Sequence, residues 1–95
     1  MANLESLGRR KIQKTIIILE TLIDHSLLGT KKIVLHIKTG LHNQRLTGYY
    51  LNFLIENNAI KKKLKYKTKR TKQEIRYYIT REGLELYKKL VKINE

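Results

Sequence analysis

The stretch AIKKKLKYKTKRTKQEIRYYIT, Ala59 to Thr80, carries eight basic residues before its first acid, Glu74. They are Lys61, Lys62, Lys63, Lys65, Lys67, Lys69, Arg70 and Lys72. Apolar residues interrupt the charge with a period of two. Ile60, Leu64 and Tyr66 lie on one face of a strand, with Lys61, Lys63 and Lys65 on the other. Lys62 breaks the alternation. The return strand reads Ile75, Tyr77 and Ile79 inward, Arg76 and Tyr78 outward, with KTKRTKQ as the connecting loop. The reading is a hairpin over about residues 59–79, docked by its apolar face and projecting positive charge at its tip.

Upstream the period is 3.6. Ile12, Ile16, Leu19 and Ile23 predict a first helix over about residues 9–25, ended by Gly29. Thr30 is the expected cap of a short second helix, about 31–38, which stops at Thr39–Gly40. Asn43 is the expected cap of a third, about 43–57, with Leu46, Tyr50, Phe53 and Leu54 on its inner face. Asn57–Asn58 closes it, since Asn tolerates the left-handed conformation. After the hairpin, Thr80 caps a last helix over about 80–92. Its charge order, Glu82 early and Lys88, Lys89 and Lys92 late, suits the helix dipole. The chain is therefore one domain over 1–95, α+β but mainly α.

Ninety-five residues suffice for one small core. Twenty-one Lys and Arg against eight Asp and Glu leave a formal charge of +13 and a pI near 10.1. That balance favours a polyanionic partner: nucleic acid, an anionic membrane surface or an acidic protein. Cysteine is absent, which excludes disulfides, zinc ribbons and thiol nucleophiles. No apolar run approaches membrane-spanning length, so a soluble, cytoplasmic protein without a membrane partner is expected. His25, His36 and His42 lack metal-ligand spacing, Asp24 is the sole aspartate, and no carboxylate pair or glycine-rich phosphate loop is evident. We expect no enzyme, metal, cofactor or small-molecule ligand.

The second and third helices have helix-turn-helix spacing. LHNQRLTGYYLNFLIENNAI followed by IRYYITREGLELYKKL resembles small archaeal winged helix-turn-helix DNA-binding proteins, a group that includes regulators of archaeal viruses and plasmids. The resemblance runs from Ile12 to about Leu90. Its most specific pieces are YLNFLIENNAI and the passage from Tyr78 to Gly83. The turn after the third helix carries Asn58 where the family has Gly, and the wing loop lacks glycine. The resemblance implies a winged helix with the third helix as recognition helix and the hairpin as wing.

A helix entering the major groove needs small or hydrogen-bonding residues opposite its core stripe. Leu46 and Phe53 inward would turn Gln44, Arg45, Gly48 and Asn52 outward. Gln suits adenine and Arg suits guanine. Thr47 is placed at the margin, for a thymine methyl or a phosphate, and His42 and Asn43 at the helix mouth. Glycine within a helix costs about 1 kcal/mol relative to alanine. Gly48 is offset either by close approach to DNA or by packing against the second helix. Lys63, Lys65, Lys67, Lys69, Arg70 and Lys72 on the wing are candidate contacts to phosphates or into a minor groove, and Lys31 and Lys32 on the second helix to phosphates. A lysine run also serves as a solvated, aggregation-resistant edge. Arg9, Arg10, Lys11 and Lys14 form a second basic cluster, for flanking DNA or solvent alike.

The first and last helices carry more apolar residues than one core needs. Ile17, Ile18, Leu22, Leu86, Leu90 and Ile93 are the expected faces of a symmetric homodimer presenting two recognition helices. The expected function is sequence-specific binding of double-stranded DNA by a dimeric transcription regulator. An architectural or segregation protein, a protein-interaction module and an RNA binder are the competing classes.

Overall fold

A computed structural model describes residues 8–66 and 73–94. The order is α1 (Arg9–Asp24), α2 (Lys32–Thr39), α3 (Gln44–Glu56), β1 (Ile60–Tyr66), β2 (Gln73–Ile79) and α4 (Arg81–Asn94).

α1 is the central element, packing against α2, α4 and β2. It therefore buries a broad surface: Ile12, Thr15, Ile18, Leu19, Thr21 and Leu22. The hydroxyls of Thr15 and Thr21 donate to the carbonyls of Lys11 and Ile17, four residues back, at 2.7 and 2.8 Å, so both enter the core satisfied. This corrects the expected dimer face. Ile18 and Leu22 are fully buried within the single chain, and Leu86 and Leu90 of α4 join the same cluster. Of that set only Ile17, half-buried, and Ile93, 53% exposed, keep accessible surface.

α2 begins one residue later than expected, with Lys31 rather than Thr30 at the cap and no side-chain capping bond. Thr30 is instead engaged through its backbone. It exchanges two bonds with Tyr77 (Thr30 N–H to Tyr77 O 3.0 Å, Tyr77 N–H to Thr30 O 2.9 Å) and adds a one-residue third rung beside β2. Gly40, left-handed at φ 64°, ends α2. The side-chain oxygen of Asn43 caps α3, accepting the Leu46 N–H at 2.8 Å. Asn58 closes the corner after α3 with φ 60°, the conformation glycine would otherwise supply.

β1 and β2 pair antiparallel, Ile60 opposite Ile79 and Leu64 opposite Ile75. At the root the hairpin is covered on both faces, which overturns the expected outward facing of Tyr78. Tyr78 is buried, its hydroxyl donating to the Leu28 carbonyl at 3.2 Å. Gly29, at φ 77°, lies so close that a Cβ there would sit 2.6 Å from the Tyr78 ring. Farther out, Leu64 and Ile75 do not dock on the helices; both are exposed.

The start of α4 ties the root together. The Thr80 hydroxyl accepts the Gly83 N–H at 3.0 Å and donates to the Asn58 carbonyl at 2.6 Å. The Thr80 N–H donates to the Ala59 carbonyl at 3.0 Å. Gly83 presses onto that same carbonyl: a Cβ would lie 2.0 Å from the Ala59 oxygen. This gives the glycine a physical reason.

Candidate nucleic-acid interface

α3 is turned from the expected orientation by roughly one residue, about 90° around its axis. Its buried residues are Thr47, Leu51 and Leu54, while Tyr50, Phe53 and Ile55 pack half-buried around the core. Leu46 is half-buried and, with Tyr49, Tyr50, Phe53, Lys11 and Thr15, lines an open cleft of about 260 Å³ between α3 and α1. Thr47 is thus removed from any DNA contact. It has no exposure, and its hydroxyl lies 2.7 Å from His36 Nδ1 on α2. That bond fixes the second helix against the third. Nothing in the sequence marked His36 and Thr47 as partners.

The exposed side of α3 carries Gln44, Arg45, Tyr49, Asn52 and Glu56. His42 and Asn43 are exposed at its mouth, where the Asn43 side-chain oxygen is committed to the cap. Tyr49, 60% exposed, was missed as a site residue because only small and hydrogen-bonding residues of the third helix were read as base contacts. Tyr50 is the half-buried member, and burial pushes its hydroxyl above the usual tyrosine value, with Arg10 pulling partway back.

Gly48 faces α2. An added Cβ would meet the Lys32 side chain, Nζ at 3.2 Å and Cε at 3.8 Å, and no other neighbour within 4 Å. The glycine leaves room for the Lys32 ammonium to lie across α3, placing that charge beside the exposed helix face. Lys31 is drawn the other way, its ammonium 2.5 Å from Glu74 of β2. Glu74 also holds Arg76 at 3.3 Å, and the Arg76 guanidinium donates to the Leu28 and Gly29 carbonyls. The acid in the basic stretch is therefore a clamp between hairpin and helix corner.

On the hairpin, Lys61, Lys62 and Lys63 are exposed, and the Lys63 ammonium stands 5.4 Å from the centre of the Tyr78 ring. Lys65 lies in β1, opposite Glu74. Its side chain, and all of Lys67, Lys69, Arg70 and Lys72, lie outside the described residues. Lys14 leaves the expected basic cluster: its ammonium donates to the Thr39 carbonyl at the end of α2. Among the described residues no group of three or more His, Asp or Glu could hold a metal, and no helix is long and apolar enough to cross a membrane.

No family model and no curated protein matches the chain. Among solved structures, an S. aureus MepR F27L mutant bound to an oligodeoxyribonucleotide is similar. The TM-score is 0.68 at 14% sequence identity, over 90% of this chain and 63% of that one. The fold is a winged helix. In those terms α2 and α3 are the helix-turn-helix, β1 and β2 are the wing, and Thr30 supplies a third rung at its root. This chain spans under two thirds of the neighbour's length, so the likeness carries the fold and nothing of that protein's wider architecture.

Proposed function

We propose that the chain is a double-stranded DNA-binding transcription regulator that lays α3 in the major groove and its basic wing along the flanking phosphates. The observation that carries this reading is the exposed face of α3. Arg45, Asn52 and Gln44, hydrogen-bonding side chains suited to guanine and adenine edges, stand there on a capped, rigid helix. The Lys32 ammonium lies at one margin of that face, and the cationic hairpin follows directly in the chain. The neighbour solved with an oligodeoxyribonucleotide supports the same use of the fold. The net charge of +13 supplies the sequence-independent attraction.

Selection from random duplexes with the purified protein tests the proposal. A preferred site bound at least ~10³-fold more tightly than random duplex is expected. Equal binding of all duplexes would leave an architectural DNA coat as the better account. Lys67, Lys69, Arg70 and Lys72 replaced together by alanine should weaken binding to every duplex. The salt dependence should become shallower by roughly 0.9 log unit for each phosphate no longer neutralised. Unchanged affinity and slope would favour a protein-interaction module.

A homodimer is the second part of the proposal, now on a corrected surface. On α4 Leu84 is exposed and Tyr87 and Val91 half-buried along one stripe, and the half-buried Ile17 of α1 also keeps accessible surface. The charges on α4 run from Glu82 and Glu85 in its first half to Lys88, Lys89 and Lys92 in its second. Two copies of this helix packed antiparallel about a two-fold axis set Glu82 and Glu85 against Lys88, Lys89 and Lys92, with Arg81 the one base in the acidic half. Sedimentation equilibrium should find a dimer that Leu84→Glu shifts toward monomer. A monomeric native chain refutes it.

A further inference from the structure

We propose that Tyr49 is a base-reading residue whose ring packs against the C5-methyl group of a thymine in the major groove. The inference rests on the reading of α3 as the helix that enters DNA, and deepens it by naming one base feature and the side chain that senses it.

Position comes first. The buried line of α3 is Thr47, Leu51 and Leu54. At roughly 100° per residue, the direction opposite that line falls on Tyr49. Arg45 lies one turn before it and Asn52 one turn after, both exposed, so Tyr49 stands at the centre of the face. Gln44, the residue first expected to read a base, stands at the α2 margin of that face instead.

Chemistry comes second. The other exposed residues of this face, Arg45, Asn52 and Glu56, are hydrogen-bonding or charged. Tyr49, at the edge of the cleft it lines with Leu46, Tyr50 and Phe53, is 60% exposed and presents the large apolar surface among them. The exposed part of that ring leaves apolar area in water. The major groove offers one apolar group, the thymine methyl, among donors and acceptors. Arg45 and Asn52 suit the polar edges, and the ring suits the methyl. A tyrosine ring moves about only two side-chain torsions, so ordering it on a methyl sacrifices little freedom.

The test uses the preferred duplex from the selection experiment and the full-length protein. Each thymine is replaced in turn by deoxyuridine, which removes the methyl and leaves every hydrogen-bonding group. One position per half-site should lower the affinity of the native protein by about three- to tenfold. Tyr49→Ala should bind the thymine and uracil duplexes alike, and Tyr49→Phe should keep the discrimination. The ring is largely exposed, so thermal melting of both variants should match the native chain and any drop in affinity belongs to the DNA interface. Indifference of the native protein to every thymine-to-uracil exchange overturns the proposal, as does discrimination that survives in Tyr49→Ala. Equal weakening in Tyr49→Phe and Tyr49→Ala without a uracil effect assigns the hydroxyl to a phosphate, and overturns it too. A protein with no preferred duplex refutes the DNA-reading proposal and this one together. A preferred but uracil-insensitive duplex refutes only this one.

Discussion

Replacing Gly48 and Gly83 by alanine, one at a time, makes the same chemical change in two helices and should move stability in opposite directions. Alanine in place of a helical glycine is worth about 1 kcal/mol in propensity at each site. At Gly48 the only atoms a Cβ would meet within 4 Å belong to the end of the Lys32 side chain, Nζ at 3.2 Å. That flexible end yields by a few tenths of an ångström, and most of the gain survives. In a domain of this size 1 kcal/mol moves the melting temperature by about 4–8 °C, so Gly48→Ala should melt several degrees higher. At Gly83 the Cβ would lie 2.0 Å from the Ala59 carbonyl oxygen and 2.7 Å from Ile79 Cγ1. Backbone must retreat by about 1 Å, which overpacks the root at about 1–3 kcal/mol and strains a cap worth about 1 kcal/mol more. After the propensity gain the net loss is about 1–3 kcal/mol, a melting temperature lower by roughly 5 °C or more. Thermal unfolding followed by far-ultraviolet circular dichroism reads both. Gly83→Ala melting at or above the native chain refutes the close approach of α4 to the hairpin root. Gly48→Ala melting below it refutes the open space over α3.

Two buried threonines make a second opposed pair. Thr47→Val removes the bond to His36 and leaves a half-buried imidazole nitrogen unpaired, so a loss of about 1–2 kcal/mol in urea unfolding is expected. The Thr30 hydroxyl is buried without a hydrogen-bond partner among the described residues. Thr30→Val should therefore be neutral or stabilising by up to about 1 kcal/mol in the same assay. Alkaline pH should also destabilise. Burial holds the hydroxyls of Tyr50 and Tyr77 protonated beyond the usual value of 10.0, so the folded state retains protons that the unfolded chain releases. Their stability contribution is intact below pH 10 and falls as pH rises through the folded values. Spectrophotometric titration should find Tyr50 and Tyr77 ionising late, together with the half-buried Tyr87, whose hydroxyl donates to Glu20, and a urea midpoint insensitive to pH above 10 would contradict it.

Much of this fold was legible because its punctuation is local. Asn43, Asn58 and Thr80 announce two caps and a left-handed corner through their own side chains, and each does what the sequence predicts. The rotation of α3 was not legible for a plain reason. Leu46, Tyr50, Phe53 and Leu54 make one credible stripe, and Thr47, Leu51 and Leu54 another. The second is the one buried, and its Thr47 bonds to His36 on a different helix, a partner no periodicity reveals. The dimer face failed for a related reason. Ile18 and Leu22 looked surplus to one core because they lie off the main stripe of α1, but that helix packs against α2, α4 and β2 at once. Tyr78 was turned outward because alternation assumes one covered face, whereas the loop at Leu28–Gly29 covers the second.

The knot at residues 58–59, 80 and 83 has a mechanical consequence. Asn58 and Ala59 stand where the outgoing strand leaves the body, and Thr80 and Gly83 where the returning strand has re-entered it. The arm is therefore clasped at its shoulder, with no slack segment to absorb a load. Load carried by β1 and β2 passes through that clasp into α4, and whatever rests on α4 feels it.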